Sequence, residues 1–247
     1  MDTITAGFLA SLAAGAATGV GALPSLFLRG TSERVMDTML GFAAGVMIAA
    51  SAFSLIVPAL ALGGLWITVC GIIIGCVFLE LLDRFIPHLH VVRGPEGGAS
   101  SLHRVWLLIL AITIHNFPEG LSVGVSFGLE NSTTGALLAT AIGLQNMPEG
   151  LAVALPLIRE GYSRKRAVAY ATLSGLVEPI AGLLGVVVVS WAAALLPVGL
   201  AFAAGAMLYV VFDEVIPESH SRGHHREATL GGMTGFLIMM VLDNLFT

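Results

Sequence analysis

His115-Asn116-Phe117-Pro118-Glu119-Gly120-Leu121 and, thirty residues further on, Gln145-Asn146-Met147-Pro148-Glu149-Gly150-Leu151 decide how this chain is read. Each sits inside an apolar stretch long enough to be a helix. Residues i and i+4 share one helix face about 6 Å apart, so His115 with Glu119, and Gln145 with Glu149, each present two polar donors to the same side. Proline lies between them both times. Its ring removes a backbone donor and opens the ladder near the carbonyls of Ile114 and Leu144, which bends the helix and frees oxygens to face a cavity.

Outward from these motifs the chain is apolar. Of 247 residues, 56% are hydrophobic and 11% charged, with a mean hydropathy of +0.92. A soluble domain carries about 25% charged residues, so lipid is the main solvent. The net charge of −5 gives no basic surface for nucleic acid. Met1-Asp2 leads without a basic n-region into an apolar stretch too long for a signal-peptide core, which predicts a retained span. Cys70 and Cys76 lie roughly 9 Å apart along a helix, too far for a disulfide, and read as filler.

A span needs about 20 mostly apolar residues. Cutting at polar and Pro/Gly-rich breaks predicts an all-α integral membrane protein, residues 1–247 forming one transmembrane domain. Its eight helices are placed at 5–28, 36–58, 64–86, 105–129, 133–158, 165–190, 194–217 and 228–246, with a histidine-containing loop at 87–104. With eight spans, all eleven Lys and Arg residues fall on one side. The positive-inside rule makes that side cytoplasmic, including the 87–104 loop, and both termini external. A multi-pass protein of the cell (inner or plasma) membrane is expected.

Two similarities run between antiparallel segments. Phe42-Ala43-Ala44-Gly45-Val46-Met47 is echoed by Phe202-Ala203-Ala204-Gly205-Ala206-Met207, and the two N-x-P-E-G motifs echo each other. Opposed repeats are an inverted-repeat transporter signature. Small-residue packing alone would account for the first pair, but not for its company. Both polar motifs lie roughly 15–20 Å into their helices, near the middle of a 30 Å core. Glu178, followed by Pro179, adds a third carboxylate at mid-span. Three glutamates in lipid are costly unless protonated or neutralised, and a divalent cation neutralises them. Imidazole favours Zn²⁺, and carboxylate and amide oxygens admit Fe²⁺, Mn²⁺ or Cd²⁺. No thiolate cage for structural zinc is present.

HNFPEG and QNMPEG thirty residues apart, eight spans and a histidine-bearing third loop resemble the ZIP metal-ion transporters, most closely the short prokaryotic GufA-type members. The resemblance implies a binuclear centre. One ion would be held by His115, Glu119, Gln145 and Glu149 with Met47 close by, the other by Asn116, Glu119, Asn146, Glu149 and Glu178. Many members have histidine where this chain has Gln145, and a neutral amide is the weaker zinc ligand, which argues against strict zinc selectivity. The resemblance further implies inward transport by alternating access, helices 1, 4, 5 and 6 moving against 2, 3, 7 and 8. Asp243 matches an entrance position, and Asp37, Asp83, His88, His90, Asp213 and Glu214, followed by Glu218 and His220, suit an exit route. His103, His224 and His225 read as solvated loop residues.

A dinuclear membrane metalloenzyme is the rival class, but the chain lacks H-E-x-x-H, paired E-x-x-H and any nucleophile-and-base set. The expected function is therefore carriage of Zn²⁺ as substrate, with no enzymatic role. Small-residue faces such as Gly41-Ala44-Gly45 suit packing within the chain or between two copies of a homodimer.

Overall fold

The computed structural model describes residues 1–28, 32–90, 94–96, 104–129 and 132–246. Helix α1 (Thr3–Ala22) starts at Asp2, whose carboxylate accepts from the Thr5 backbone N–H at 2.9 Å and the Thr5 hydroxyl at 2.7 Å. Those two bonds, the backbone one first, hold this exposed carboxyl below the usual range. Pro24 tightens the helix end into a 3₁₀ turn, Leu23–Leu26. Arg164 closes that turn, donating to the carbonyls of Ser25 at 3.1 Å and Leu26 at 2.8 Å.

The remaining helices are α2 (Glu33–Ala49), α3 (Val57–Phe85), α4 (Arg104–Ser126), α5 (Ser132–Arg159), α6 (Arg164–Gly175), α7 (Val177–Trp191), α8 (Leu196–Val210), α9 (Ile216–Ser219) and α10 (His225–Phe246). Where the sequence suggested only a loop after α3, a small antiparallel pair forms, β1 (His88–His90) against β2 (Gly94–Glu96).

Prolines shape the helices. Pro58 and Pro217 lack the N–H that an α-helix would direct at Ser54 and Asp213. Just before each, the backbone widens into a π turn, Ala50–Ile56 and Val211–Val215, where Val57 N–H reaches Ala52 O and Ile216 N–H reaches Val211 O. Each π turn follows one copy of the Phe-Ala-Ala-Gly segment. Pro179 acts differently. The expected continuous helix over 165–190 is instead α6 and α7, meeting at Leu176 (φ −72°, ψ 0°), because Pro179 cannot donate to the Gly175 carbonyl. The joint falls two residues before Glu178.

The stretch Glu33–Phe85 is helical over 53 residues, about 80 Å and far beyond a 30 Å core. Gly64 breaks it, with φ 72° and ψ 179°, a conformation that side chains other than hydrogen disfavour. Among the described residues, five helices are long and apolar enough to cross a membrane: Thr3–Leu26, Glu33–Phe85, Arg164–Trp191, Ala193–Ser219 and His225–Leu245. Helix α5 is not among them, since the polar residues of its N-x-P-E-G motif dilute its apolar character. The outer surface is the reverse of a soluble protein's: Trp66, Ile180, Trp191 and Leu230 are all more than half exposed. Such an apolar exterior suits lipid.

Two groups of helices are each fastened by backbone-close glycine contacts. In one, α2 meets α10 and α3 meets α8. A side chain on Gly235 would strike Phe42 O, and one on Gly75 would strike Phe202 O; Gly45 faces Gly232 and Gly205 faces Ile72 in the same manner. In the other, α1, α4, α5, α6 and α7 pack together, with Gly120 against Glu178, Gly150 against Thr18, Gly124 against Gly182 and Gly15 against Gly175. Contacts between the groups run through side chains instead. Met36 and Leu40 of α2 cluster with Leu151 and Leu155 of α5, and Phe78 of α3 sits 5.9 Å, ring to ring, from Phe117 of α4.

Candidate metal centre

Helices α4, α5 and α7 carry the polar residues singled out from sequence and bring them together. Asn116, Glu119, Gln145, Asn146 and Glu178 are fully buried, and His115 and Glu149 nearly so. Gln145 Nε2 donates to Glu119 Oε1 at 2.6 Å, joining α5 to α4. Asn146 Nδ2 donates to Glu178 Oε1 at 2.6 Å and to Ala14 O at 2.9 Å, joining α5 to α7 and α1. Gly120 lets α4 lie directly on the backbone of Glu178. Met47 is fully buried on α2, in the same apolar cluster as Ile114.

These bonds satisfy only part of the site. Asn116 Oδ1, Glu119 Oε2, Gln145 Oε1, Asn146 Oδ1, Glu149 Oε1 and Glu178 Oε2 are buried with no hydrogen-bond partner, as is Asn116 Nδ2. Each such group costs about 1–3 kcal/mol when left unpaired, more if charged. Six unpaired oxygens on α4, α5 and α7 are of the kind a cation could satisfy. Among the described residues no three His, Cys, Asp or Glu side chains make a ready cage, which follows from the chemistry: three of the six oxygens belong to amides.

His115 is oriented from outside this set. Its Nδ1 lies 3.0 Å from Glu214 Oε2, on the π turn after α8. A neutral imidazole that faces an ionised carboxylate through Nδ1 carries its proton there and keeps the Nε2 lone pair for a ligand. Glu214 stood among the exit residues in the sequence reading, and its pairing with His115 has no local sequence signal.

At the end of the molecule holding the C-terminus of α10, Asp243 is nearly buried and accepts from the Ser54 hydroxyl at 2.6 Å. It lines a cavity of about 580 Å³ with Phe53, Val57, Pro58, Gly128 and Thr134. At the opposite end, Asp37 is fully buried between Arg222, 2.9 Å from Oδ1, and His224, 3.2 Å from Oδ2. Arg222 also reaches Glu218 at 2.9 Å. Burial alone would lower the guanidinium, but bonds to Asp37 and Glu218 outweigh it and hold the group above its ordinary value. His224 is thus a partner of Asp37 rather than a freely solvated loop residue. His220 packs 5.8 Å from His225, ring to ring. Asp83 is nearly buried on α3, and Asp213 lies beside Glu214 on the π turn. The side chains of His88 and His90, and all of His103, lie outside the described residues.

A fold of helices with an apolar exterior defines a membrane protein, and this one holds a buried cluster of polar groups without partners. The family model described as ZIP Zinc transporter matches residues 93–243. The chain is 45% identical to Zinc transporter GufA of Myxococcus xanthus, over 96% of this chain and 98% of that protein. It is 46% identical to Zinc transporter ZIPB of Bordetella bronchiseptica, over 92% and 77% of the two chains, and 37% identical to Zinc transporter ZIP11 of Homo sapiens, over 92% and 93%. This chain belongs to the ZIP family and is a prokaryotic-type member of it.

Proposed function

We propose that the protein carries Zn²⁺, and with it Cd²⁺, Fe²⁺ or Mn²⁺, from the external side into the cytoplasm through a binuclear mid-membrane site. The observation that carries this reading is the set of six buried oxygens without partners on α4, α5 and α7. One ion is held by His115, Glu119, Gln145 and Glu149, with Met47 alongside. The other is held by Asn116, Glu119, Asn146, Glu149 and Glu178, the two central glutamates bridging. Mixed imidazole, carboxylate and amide donors suit Zn²⁺ without excluding harder ions. The names of the relatives as zinc transporters point to the same cargo.

The chain crosses the cell membrane eight times with both termini external, Gly64 separating the second and third crossings and the hairpin after α3 lying on the cytoplasmic side. The matched contacts of Gly75 with Phe202 and Gly235 with Phe42 support an inverted repeat. Glycine-fastened helices within each group, and side-chain contacts between groups, support alternating access. The α1, α4, α5, α6 and α7 group carries the ion and moves against the α2, α3, α8 and α10 group, in which Gly41 and Gly45 pack on α10 within the chain. Asp243 and its cavity serve as the entrance. Asp37, Asp83, His88, His90, Asp213, Glu214, Glu218 and His220 lie along the exit.

Uptake of Zn²⁺ and Cd²⁺ into liposomes containing the purified protein tests this. Saturable flux in the natural protein that Glu149→Ala abolishes is the expected result. Correctly folded protein with no flux, or undiminished flux in Glu149→Ala, overturns it.

A further inference from the structure

The contact between Gly15 and Gly175 exchanges two side chains. A β-carbon on Gly15 would meet Gly175 O and lie 3.2 Å from Glu178 Cβ; one on Gly175 would meet Gly15 O and lie 2.8 Å from Thr18 Oγ1 and 2.9 Å from Thr18 Cβ. Each glycine precedes its facing partner's counterpart by three residues, Gly15 before Thr18 and Gly175 before Glu178. The next contacts repeat the relation: Gly120 of α4 lies on the backbone of Glu178, and Gly150 of α5 lies on that of Thr18. Thr18 therefore holds on α1 the place that Glu178 holds on α7.

Like the hydroxyl of Ser25 in the 3₁₀ turn after α1, that of Thr18 is buried without a partner. Thr18 is 1% exposed. Ser11, Ser51, Ser122, Ser126 and Ser174 all turn their hydroxyls back onto a carbonyl of the preceding turn, at 2.7–3.0 Å. For Thr18 the carbonyl one turn back is Ala14 O, which accepts from Asn146 Nδ2 instead. The counterpart of Asn146 is Asn116, and both of its amide atoms are buried without partners. In one half, Asn146 is bonded to Glu178; in the other, the matching pair, Asn116 and Thr18, leaves three polar atoms unpaired.

Resting on the metal-carrier reading, we infer that Thr18 Oγ1 is a further ligand for the transported ion, a neutral oxygen on α1 in the place that matches Glu178 on α7. A hydroxyl is a hard donor, so it favours Zn²⁺ over the softer Cd²⁺. It also leaves the site with three carboxylates rather than four, which lets a divalent ion depart.

Competing Zn²⁺ and Cd²⁺ uptake in proteoliposomes tests this with Thr18→Val, Thr18→Ser, Thr18→Cys and, as reference, Glu149→Ala. Thr18→Val is isosteric and Thr18→Cys smaller, so at least one keeps the close approach to Gly175. The expected result is a rise of about tenfold in the Zn²⁺ KM for Thr18→Val, a smaller rise for Cd²⁺, recovery with Thr18→Ser and a swing toward Cd²⁺ with Thr18→Cys. If Thr18→Val and Thr18→Cys leave the Zn²⁺ to Cd²⁺ ratio where it was while Glu149→Ala abolishes flux, Thr18 is a packing residue and the inference fails alone. If Glu149→Ala still transports, the donor-cluster reading itself has failed.

Discussion

His115 Nδ1 and Glu214 Oε2 stand 3.0 Å apart, an imidazole of the α4 motif held by a carboxylate of the π turn that follows α8. The bond spans the two helix groups, so in the proposed mechanism the ring that would offer Nε2 to the ion is aimed by the group that does not carry it. Outer-shell carboxylates on a ligating histidine fix its tautomer and raise its basicity, and their loss costs about 10–100-fold in metal affinity. Glu214→Gln keeps the shape but removes the charge. We expect its Zn²⁺ KM in proteoliposomes to rise by about tenfold or more. A KM equal to the natural protein's would show that Glu214 does not aim His115.

Gln145 donates through Nε2 to Glu119 and keeps Oε1 unpaired. Replacing it with histidine exchanges a weak oxygen donor for imidazole, which zinc prefers. Gln145→His should lower the Zn²⁺ KM and narrow the range of ions accepted, with Mn²⁺ uptake falling relative to Zn²⁺. Competition uptake with the two ions reads this directly, and an unchanged ratio would remove Gln145 from the ligand set.

The donors on α4 and α5 were legible because their grouping is local: spacing of four on a helix, with proline between, puts them on one side whatever the rest of the chain does. Glu178 was legible as a charge in an apolar span. What joins them was not. The Glu214 to His115 bond links residues 99 apart and depends on the π turn that Pro217 requires. The Arg222 to Asp37 pair links residues 185 apart, and charge in a loop gave no hint that Asp37 is fully buried. Pro179 was visible, yet its effect, separating α6 from α7 at Leu176, was not anticipated. Thr18 escaped notice because a threonine in an apolar helix is common, and only the Gly15 to Gly175 contact sets it opposite Glu178.

Arg222 matters to the cytoplasmic end because it neutralises a carboxylate with no exposure to water. Removing one partner of a buried ion pair leaves the other uncompensated and destabilises by about 3–5 kcal/mol. Arg222→Met should therefore lower the midpoint of thermal unfolding in detergent, and adding Asp37→Asn should recover most of the loss. A single variant as stable as the natural protein would mean that His224 alone suffices for Asp37.

Two kinds of helix contact predict two kinds of defect. Within a group, Gly235 of α10 lies against the Phe42 carbonyl with no room for a side chain. Gly235→Leu must push α10 from α2, and close approach of small residues is what holds membrane helices together. It should abolish both the monodisperse folded species and uptake. Between groups, Leu155 packs on Met36 and Leu40 through side chains. Leu155→Ala leaves the backbones where they are and smooths the surface on which, in the proposed mechanism, one group moves. It should leave the protein folded and the Zn²⁺ KM near the natural value while changing the maximal uptake rate. Size-exclusion profiles paired with uptake kinetics separate the two, and a Leu155→Ala protein that unfolds like Gly235→Leu would place both contacts inside one rigid body.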